Sequence, residues 1–426
     1  MTENYRAGLV TCAKEDRISI LPEHLIDSIL ERVPLEEAVR TSILSKNWRY
    51  RWTTMRALVF DECFSRKFAK NGAFGRNGFI RIINQVLFLH KGPILKFHLH
   101  IPNIVLDSFQ DIDQWMSFLS RNGVMELILT NFNRRYELPS YLFSCLELTK
   151  LKLQNCFLKP PPKFEGFLNL EDLYLRNVDF GANLCGPQIS LPQLKKLSMY
   201  SCTNVSNFNI KATRIWSLAV FTCPGVMLLQ LLHSPCITRF AIRDFVQGER
   251  MNLERVLRNL PVIEALYIDG SSLKFLSAEN IPKWLPHPVN SLKHLRLRNF
   301  EVGDLDQLHG ALCLLRNSPN LKSSVIQLYM EPQVDVGLAS NHLDTPNCLD
   351  YTLKQLQTVE IISLEGSGPE LLFIKLLLAH SPSLESLTNR PSRDSDVQKR
   401  FDIAKDVMQF PRASTNAKMF YLDLEP

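Results

Sequence analysis

No stretch of the 426 residues approaches the ~18 uninterrupted apolar residues that a membrane-crossing helix needs. The best run, Leu371 to Ala379, is short and carries Lys375. Glycine is scarce (17) and proline ordinary (24), which excludes collagen-like and low-complexity chains. Neither sign of charge dominates. The 49 Lys and Arg against 43 Asp and Glu leave a formal +6, too little by itself to argue for a nucleic-acid binder. The 10 cysteines include no C-x-x-C pair, which argues against a zinc ribbon or a redox motif. The opening MTENYRAGLVTCAKED has no apolar core for secretion and no Arg-rich amphipathic face for import. The expectation is a soluble intracellular protein with reduced, mostly buried thiols. A disulfide framework stays open on even parity alone, and the sequon at Asn204 reads as accidental.

Signatures of catalysis are missing too. There is no G-x-x-x-x-G-K-[ST], no H-E-x-x-H and no G-x-S-x-G. His98 and His100, with His90 nearby, put two imidazoles on one strand face, but a metal wants three or four ligands. A solvated strand face is the better reading, and no metal, cofactor or catalytic residue is expected. What is present is 45% hydrophobic and 22% charged residues, an ordinary folded composition in a chain long enough for more than one domain.

Residues 16–56 form a compact head. Pro22 suits a first helical turn, and Leu25, Ile26, Ile29, Leu30 and Val33 recur behind it at helical spacing. Pro34 stops that helix and starts a second, with Leu35, Ala38, Val39, Ser42 and Ile43 along one side. Ser45 can cap a third, which carries Trp48 and Trp52 four apart. About 40 residues bury little surface alone, so the head should lean on the rest of the chain or on a partner. The run Leu21-Pro22, Ile29-Leu30, Val33-Pro34, Arg40-Thr41-Ser42, Leu44-Ser45-Lys46 and Trp48-Arg49 with Trp52 resembles an F-box, the motif that docks on the Skp adaptor of cullin-RING ubiquitin ligases. The acidic pair Glu36-Glu37 departs from that pattern, although negative charge suits a helix N-terminus.

Residues 57–93 read as a linker and the first helix of a solenoid, and residues 94–352 as the solenoid itself. One pattern, apolar-x-x-apolar-x-apolar, recurs from Ile94 onward. Its second apolar positions are 97, 127, 151, 173, 197, 218, 240, 266 and 295, and the steps between them sit almost wholly within the 20–29 residue period of leucine-rich repeats. Each x-L-x-L-x predicts a short strand with leucines inward and x residues outward on a concave, parallel sheet. Cys156, Cys202 and Cys223 fall where such repeats bury an Asn or Cys. Glu331 to Thr352 is expected to be a long loop.

Residues 353–424 read as a cap. A strand within Leu353 to Glu365 leads to a helix opened by Pro369, then to a second helix from about Asp394 with Val397, Phe401, Ala404 and Val407/Met408 on one side. Met419 to Asp423 looks like a last strand. Leu356-Gln-Thr-Val-Glu-Ile361, Glu370-Leu-Leu-Phe-Ile-Lys-Leu-Leu-Leu378, Ser381-Pro-Ser-Leu-Glu385 and Phe410-Pro-Arg-Ala-Ser414 resemble the FBD domain of plant F-box/FBD/LRR-repeat proteins. Lys159-Pro-Pro-Pro-Lys-Phe-Glu-Gly-Phe167 is similar to a stretch of the same family.

The resemblance implies an α/β chain: a three-helix F-box, a leucine-rich-repeat solenoid and an FBD-like cap. It implies a non-catalytic substrate receptor of an SCF-type ligase, with Skp adaptor, cullin and RING subunits as partners, in the nucleus or cytoplasm of a plant cell. Leu21, Pro22, Leu25, Ile29, Leu30, Pro34, Leu44, Trp48 and Trp52 are the residues it assigns to the adaptor, and some of these must instead hold the head together. For a protein substrate, the register points to the outward positions Tyr174, Arg176, Tyr200, Phe221, Arg239, Arg243, Tyr267, Arg296 and Arg298. Over seven repeats the outward positions hold eight Lys or Arg against two acids, Asp172 and Asp269, a balance of +6. Such a face suits an acidic or phosphorylated segment. A solvated basic face, a non-ligase scaffold and a nucleic-acid-binding solenoid are the alternatives, and no membrane partner is expected.

Overall fold

The computed structural model describes residues 21–46, 48–69, 72–103, 109–181, 188–245, 251–278, 282–330, 336–345, 348–349, 351–393 and 396–422. The chain divides into two compact units, residues 1–133 and 134–426.

In the first unit, Pro22 and Pro34 take extended ψ angles of 144° and 145° immediately before helices α1 (Glu23–Leu30) and α2 (Leu35–Arg40). A residue without an N–H loses nothing at such a boundary. The expected third helix is instead a pair of 3-10 turns, Thr41–Ile43 and Arg51–Thr54. Here Thr41, Thr53 and Thr54 donate their hydroxyls to the carbonyls three residues back, at 2.6, 2.6 and 2.9 Å. Hydroxyls that bond the local backbone compete with the α-helical ladder. Residues 57–93 hold more than a linker and one helix: β1 (Ala57–Phe60), α3 (Glu62–Ala69) and α4 (Gly72–Leu89). Then come β2 (Lys96–Ile101), α5 (Gln110–Leu119) and β3 (Glu126–Asn131). The three strands pair in parallel, Ala57 with Lys96 and Lys96 with Glu126. Leu58, Phe60, Phe97, Leu99, Leu127 and Leu129 are buried beneath them. The head leans on this layer: Lys91 N–H donates to Thr53 at 2.7 Å, Leu95 N–H to Arg56 at 2.8 Å, and His90 Nε2 lies 2.8 Å from the Met55 carbonyl.

The second unit runs β4 (Tyr136–Glu137), β5 (Lys150–Phe157), β6 (Asp172–Asp179), β7 (Ile189–Ser190), β8 (Lys196–Tyr200), β9 (Ile210–Lys211) and β10 (Ser217–Phe221). From there helices join in: α6 (Leu228–Leu231), β11 (Arg239–Arg243), α7 (Leu253–Arg258), β12 (Ala265–Asp269), α8 (Gly270–Ser277), β13 (His294–Phe300) and α9 (Leu305–Arg316). The chain closes with β14 (Ser323–Leu328), α10 (Val336–Leu343), β15 (Thr358–Leu364), α11 (Gly368–His380), β16 (Ser386–Pro391), α12 (Val397–Gln409) and β17 (Lys418–Tyr421). Strand follows strand in parallel from β5 to β17, with the minor strands β7 and β9 forming a separate pair. The expected register is the observed one: Leu151, Leu173, Leu197, Leu218, Phe240, Leu266 and Leu295 pair in one row. Ser324, Val359, Leu387 and Met419 extend it.

A second regularity makes the repeat turn. Asn155, Asn177, Ser201, Thr222, Asp244, Asn299 and Ser363 all have φ between 47° and 61°. Short polar side chains tolerate this left-handed region best. Each reverses the chain so that the next residue enters the core: Cys156, Val178, Cys202, Cys223, Phe245, Phe300 and Leu364 are all buried. Their side chains also link neighbouring turns, Asn177 to Asn155 at 2.7 Å and Thr222 to Asp244 at 2.8 Å.

Two expectations about the C-terminal part are corrected. Residues 336–343, placed in a long loop, form α10. On α12 the buried side chains are Ile403 and Val407, whereas Val397, Phe401 and Met408 are exposed. Ile403 seats its Cγ1 where a Cβ on Gly366 would stand, at 2.5 Å, and this close approach sets the rotation of the helix. Asp394 and Asp423 lie outside the described residues.

Candidate functional site

The head sorts its own apolar residues. Ile26, Leu30, Leu35, Ala38, Trp48 and Trp52 close its core. Of the nine residues assigned to an adaptor, Leu30, Trp48 and Trp52 are therefore structural and reach a partner only through the shape they maintain. Leu25 (42% exposed), Ile29 (44%) and Leu44 (65%) face water, as do Pro22 and Pro34, with Leu21 half-buried. Ile43, 87% exposed, was missed because a helical stripe would have turned it inward, and the 3-10 turn turns it out. Large apolar side chains left in water on a module whose own core is complete mark an interaction surface.

The open face of the sheet in the second unit carries ladders of outward side chains. One row pairs Arg176, Tyr200, Phe221 and Arg243 strand by strand. Another pairs Lys152, Tyr174, Ser198, Ala219, Ala241, Tyr267 and Arg296. The aromatics meet as a chain, with ring centroids 5.1 Å apart for Tyr174 and Tyr200, 4.9 Å for Tyr200 and Phe221, and 5.6 Å for Phe221 and Tyr267. Cations lie over them: Lys152 over Tyr174 at 4.7 Å, Arg243 over Phe221 at 5.4 Å and Arg296 over Tyr267 at 5.8 Å. Such stacking holds a guanidinium in place while leaving its N–H groups for a ligand. Burial pushes the Tyr200 hydroxyl above its ordinary pKa, aided by Tyr174 and opposed by Arg176 and Arg243.

Among the described residues, Arg176, Arg239, Arg296 and Arg298 form no ion pair. Arg298 donates to the Tyr267 hydroxyl at 3.4 Å, and Arg243 faces Asp244 at 3.3 Å. A concavity of about 390 Å³ opens where the ladder side chains shrink to Ala219, Ala241 and Ala265, and Arg239, Tyr267, His294 and Arg296 also line it. Trp216 also belongs to the face: Lys196 and Arg239 lie over its ring at 5.3 and 5.4 Å. It stands one residue before the outward positions of its repeat, so the register could not select it. One expected acid drops out. Asp269 is buried, caps α8 by accepting from Ser272 N–H at 3.2 Å, and accepts from Asp244 N–H and Ser271 Oγ. The face is thus more positive than its sequence suggested.

His98 and His100 do not converge with further ligands, and no group of three His, Cys, Asp or Glu able to hold a metal occurs among the described residues. His100 is buried and stacks on Phe132 at 4.8 Å. Burial pushes the Cys145 and Cys313 thiols up to about 11 and raises Cys156 further. Cys202 and Cys223 share a hydrogen bond that lowers the former and raises the latter. All five are core thiols.

Comparison with known proteins follows the same division. Residues 18–59 match the F-box domain, and residues 112–323 match the LRR repeats described for the FBD-associated F-box protein At5g56370. The F-box/FBD/LRR-repeat protein At1g13570 of Arabidopsis thaliana is 32% identical over 96% of this chain and 98% of its own length. The FBD-associated F-box protein At5g38590, also of Arabidopsis thaliana, is 28% identical over 79% of this chain and 84% of its own. A solved internalin from Listeria monocytogenes aligns over 76% of this chain and 85% of its own, at 15% identity and a TM-score of 0.31.

Proposed function

Because the chain belongs to the F-box/FBD/LRR-repeat proteins, we propose that it is the substrate-recognition subunit of an SCF-type cullin-RING ubiquitin ligase. An F-box in general binds a Skp-type adaptor. The observation that carries the reading is the head itself: a closed core bearing exposed Leu25, Ile29, Ile43 and Leu44. Through the adaptor come the cullin and RING subunits, and the receptor itself contributes proximity, raising the effective concentration of substrate near the loaded conjugating enzyme. The open sheet face supports capture of an acidic or phosphorylated protein segment. Arginines that have no carboxylate partner among the described residues sit beside an aromatic chain there, and both residue types are enriched where binding energy concentrates. Nuclear and cytosolic residence is part of the same proposal.

The test is an unbiased interaction screen of the full chain against an Arg243→Glu/Arg296→Glu/Arg298→Glu variant that still captures the adaptor. The expected result is that the variant keeps adaptor and cullin and loses a defined set of other proteins. An unchanged set would place the substrate site elsewhere, and absence of any Skp-type adaptor from the wild-type capture would overturn the ligase assignment.

A further inference from the structure

We propose that the last turn of the second unit docks on its counterpart in a second copy of this chain, α12 against α12 antiparallel, to form a two-fold dimer. This is independent of the ligase reading. The apolar stripe that the sequence marks on α12 stays in water: Val397 is 82% exposed, Phe401 64% and Met408 60%, with Ala404 half-buried between them. Ile403 and Val407 already give the helix its core face, so the fold of this chain does not need the stripe. Its spacings of four, three and four residues are those of a coiled-coil seam. Contiguous apolar side chains in water mark an interaction surface. The strand beside it is open as well. Among the described residues β17 pairs with β16 alone. Lys418 and Leu422 donate their N–H groups to the Glu385 and Asn389 carbonyls on that side, and strand alternation turns those of Met419 and Tyr421 to the other. An edge in this state is a template for a further chain. Helix and strand belong to one surface, since burial raises the Tyr421 hydroxyl pKa and Arg400 of α12 opposes that rise.

Shape and charge select a second copy as the occupant. The seam is self-complementary about a two-fold axis: an antiparallel pair sets Val397 against Met408 of the other copy, and the large ring of Phe401 against the small Ala404. The flanking charges favour the same orientation. A parallel pair would bring Arg400 against Lys405 of the second copy, two like charges across the seam. In the antiparallel pair Lys405 lies instead beside Gln398 and Asp402 of the second copy, which each helix already joins by a hydrogen bond of 3.1 Å. The contact therefore carries two symmetric Lys405–Asp402 attractions. A closed two-fold pairing uses the same patch on both copies and leaves none over to propagate. Two heptads make a small interface, so association is expected to be reversible and dependent on concentration.

Sedimentation equilibrium of the full chain over a range of concentrations tests this. The mass is expected to rise from that of the monomer towards twice that value and no further. Phe401→Asp/Met408→Asp, which alters only exposed positions, is expected to stay monomeric throughout and to melt with the dilute wild type. Lys405→Asp is expected to weaken association roughly tenfold, and Asp402→Lys/Lys405→Asp to restore it, because the swap rebuilds both attractions. A wild type that is monomeric throughout would overturn the proposal and leave the stripe to a different protein. Undiminished dimerisation of folded Phe401→Asp/Met408→Asp would overturn the seam. Orientation is read by oxidising a mixture of Val397→Cys and Met408→Cys chains and mapping the bridges by mass spectrometry. Bridges between residues 397 and 408 are expected, and predominance of 397 with 397 would overturn the antiparallel arrangement.

Discussion

Leu25 and Ile29 stand four apart on α1 with over two-fifths of each in water, while Ile26 and Leu30 beside them are closed off. This division separates binding from folding. Covering one large apolar side chain is worth about 1.5–3 kcal/mol, so Leu25→Asp/Ile29→Asp is expected to abolish adaptor capture in a pull-down and leave the melting temperature within a few degrees of wild type. Trp48→Ala should instead cost about 3–5 kcal/mol of stability, since it empties a core position, and lose the adaptor only as the head unfolds. Equal melting behaviour of the two variants would reject the sorting. His100 carries a second prediction at this scale. Its burial holds the imidazole pKa below the ordinary value, partly opposed by the Glu62 and Asp61 carboxylates. The unfolded chain therefore takes up that proton first. Stability from the neutral ring is whole above the ordinary imidazole pKa and is lost as pH falls from there through the folded value. His100→Phe, which keeps a ring against Phe132, should lose less of its unfolding midpoint between pH 7 and pH 5 than wild type does.

The helices of the second unit begin where the strands release them, and β12 with α8 shows how tightly. Asp269 ends the strand, caps the helix and holds the left-handed turn of the preceding repeat by accepting from Asp244 N–H. Gly270 follows because a Cβ there would stand 2.1 Å from the Asn299 carbonyl oxygen of the next repeat. Asp269→Ala leaves the buried Ser272 N–H and the part-buried Asp244 N–H without this acceptor and is expected to cost about 2 kcal/mol or more. Gly270→Ala forces backbone apart and should cost about 1–3 kcal/mol. Urea unfolding at fixed pH reads both, and a neutral result at either position would contradict the coupling of neighbouring repeats through this turn. Along the sequence Asp269 was an outward acid like Asp172. Only the helix starting after it explains why it turns inward.

Across the whole chain, charge is distributed more unevenly than the formal +6 suggests. The open face gathers arginines that have no carboxylate partner among the described residues, while ion pairs such as Lys195 with Glu171 and Lys293 with Glu264 neutralise locally. Binding of an acidic or phosphorylated peptide to this face should weaken moderately as salt rises from low ionic strength to physiological, because exposed charges are screened beyond roughly 8 Å. A nucleic acid would show instead a steep, linear fall of log affinity with log salt, set by released counterions. Titration of both ligand types against wild type and the triple arginine variant separates the two readings.

Periodicity is a property of the sequence itself, so the strands, their shared row from Leu151 to Leu295 and the inward Cys156, Cys202 and Cys223 were legible without coordinates. Each follows from alternation and a repeat length, and neighbouring copies impose the same rule on one another. The proline-led helices α1 and α2 were legible for a similar reason, because Pro22 and Pro34 act on their own backbone. Tertiary structure decided what depends on a neighbour distant in sequence. Gly366 set which side of α12 is buried, 3-10 turns put Ile43 outside, and α8 withdrew Asp269 from the open face. Local pattern specifies which residues are apolar, and packing against partners tens of residues away specifies which of them still face water.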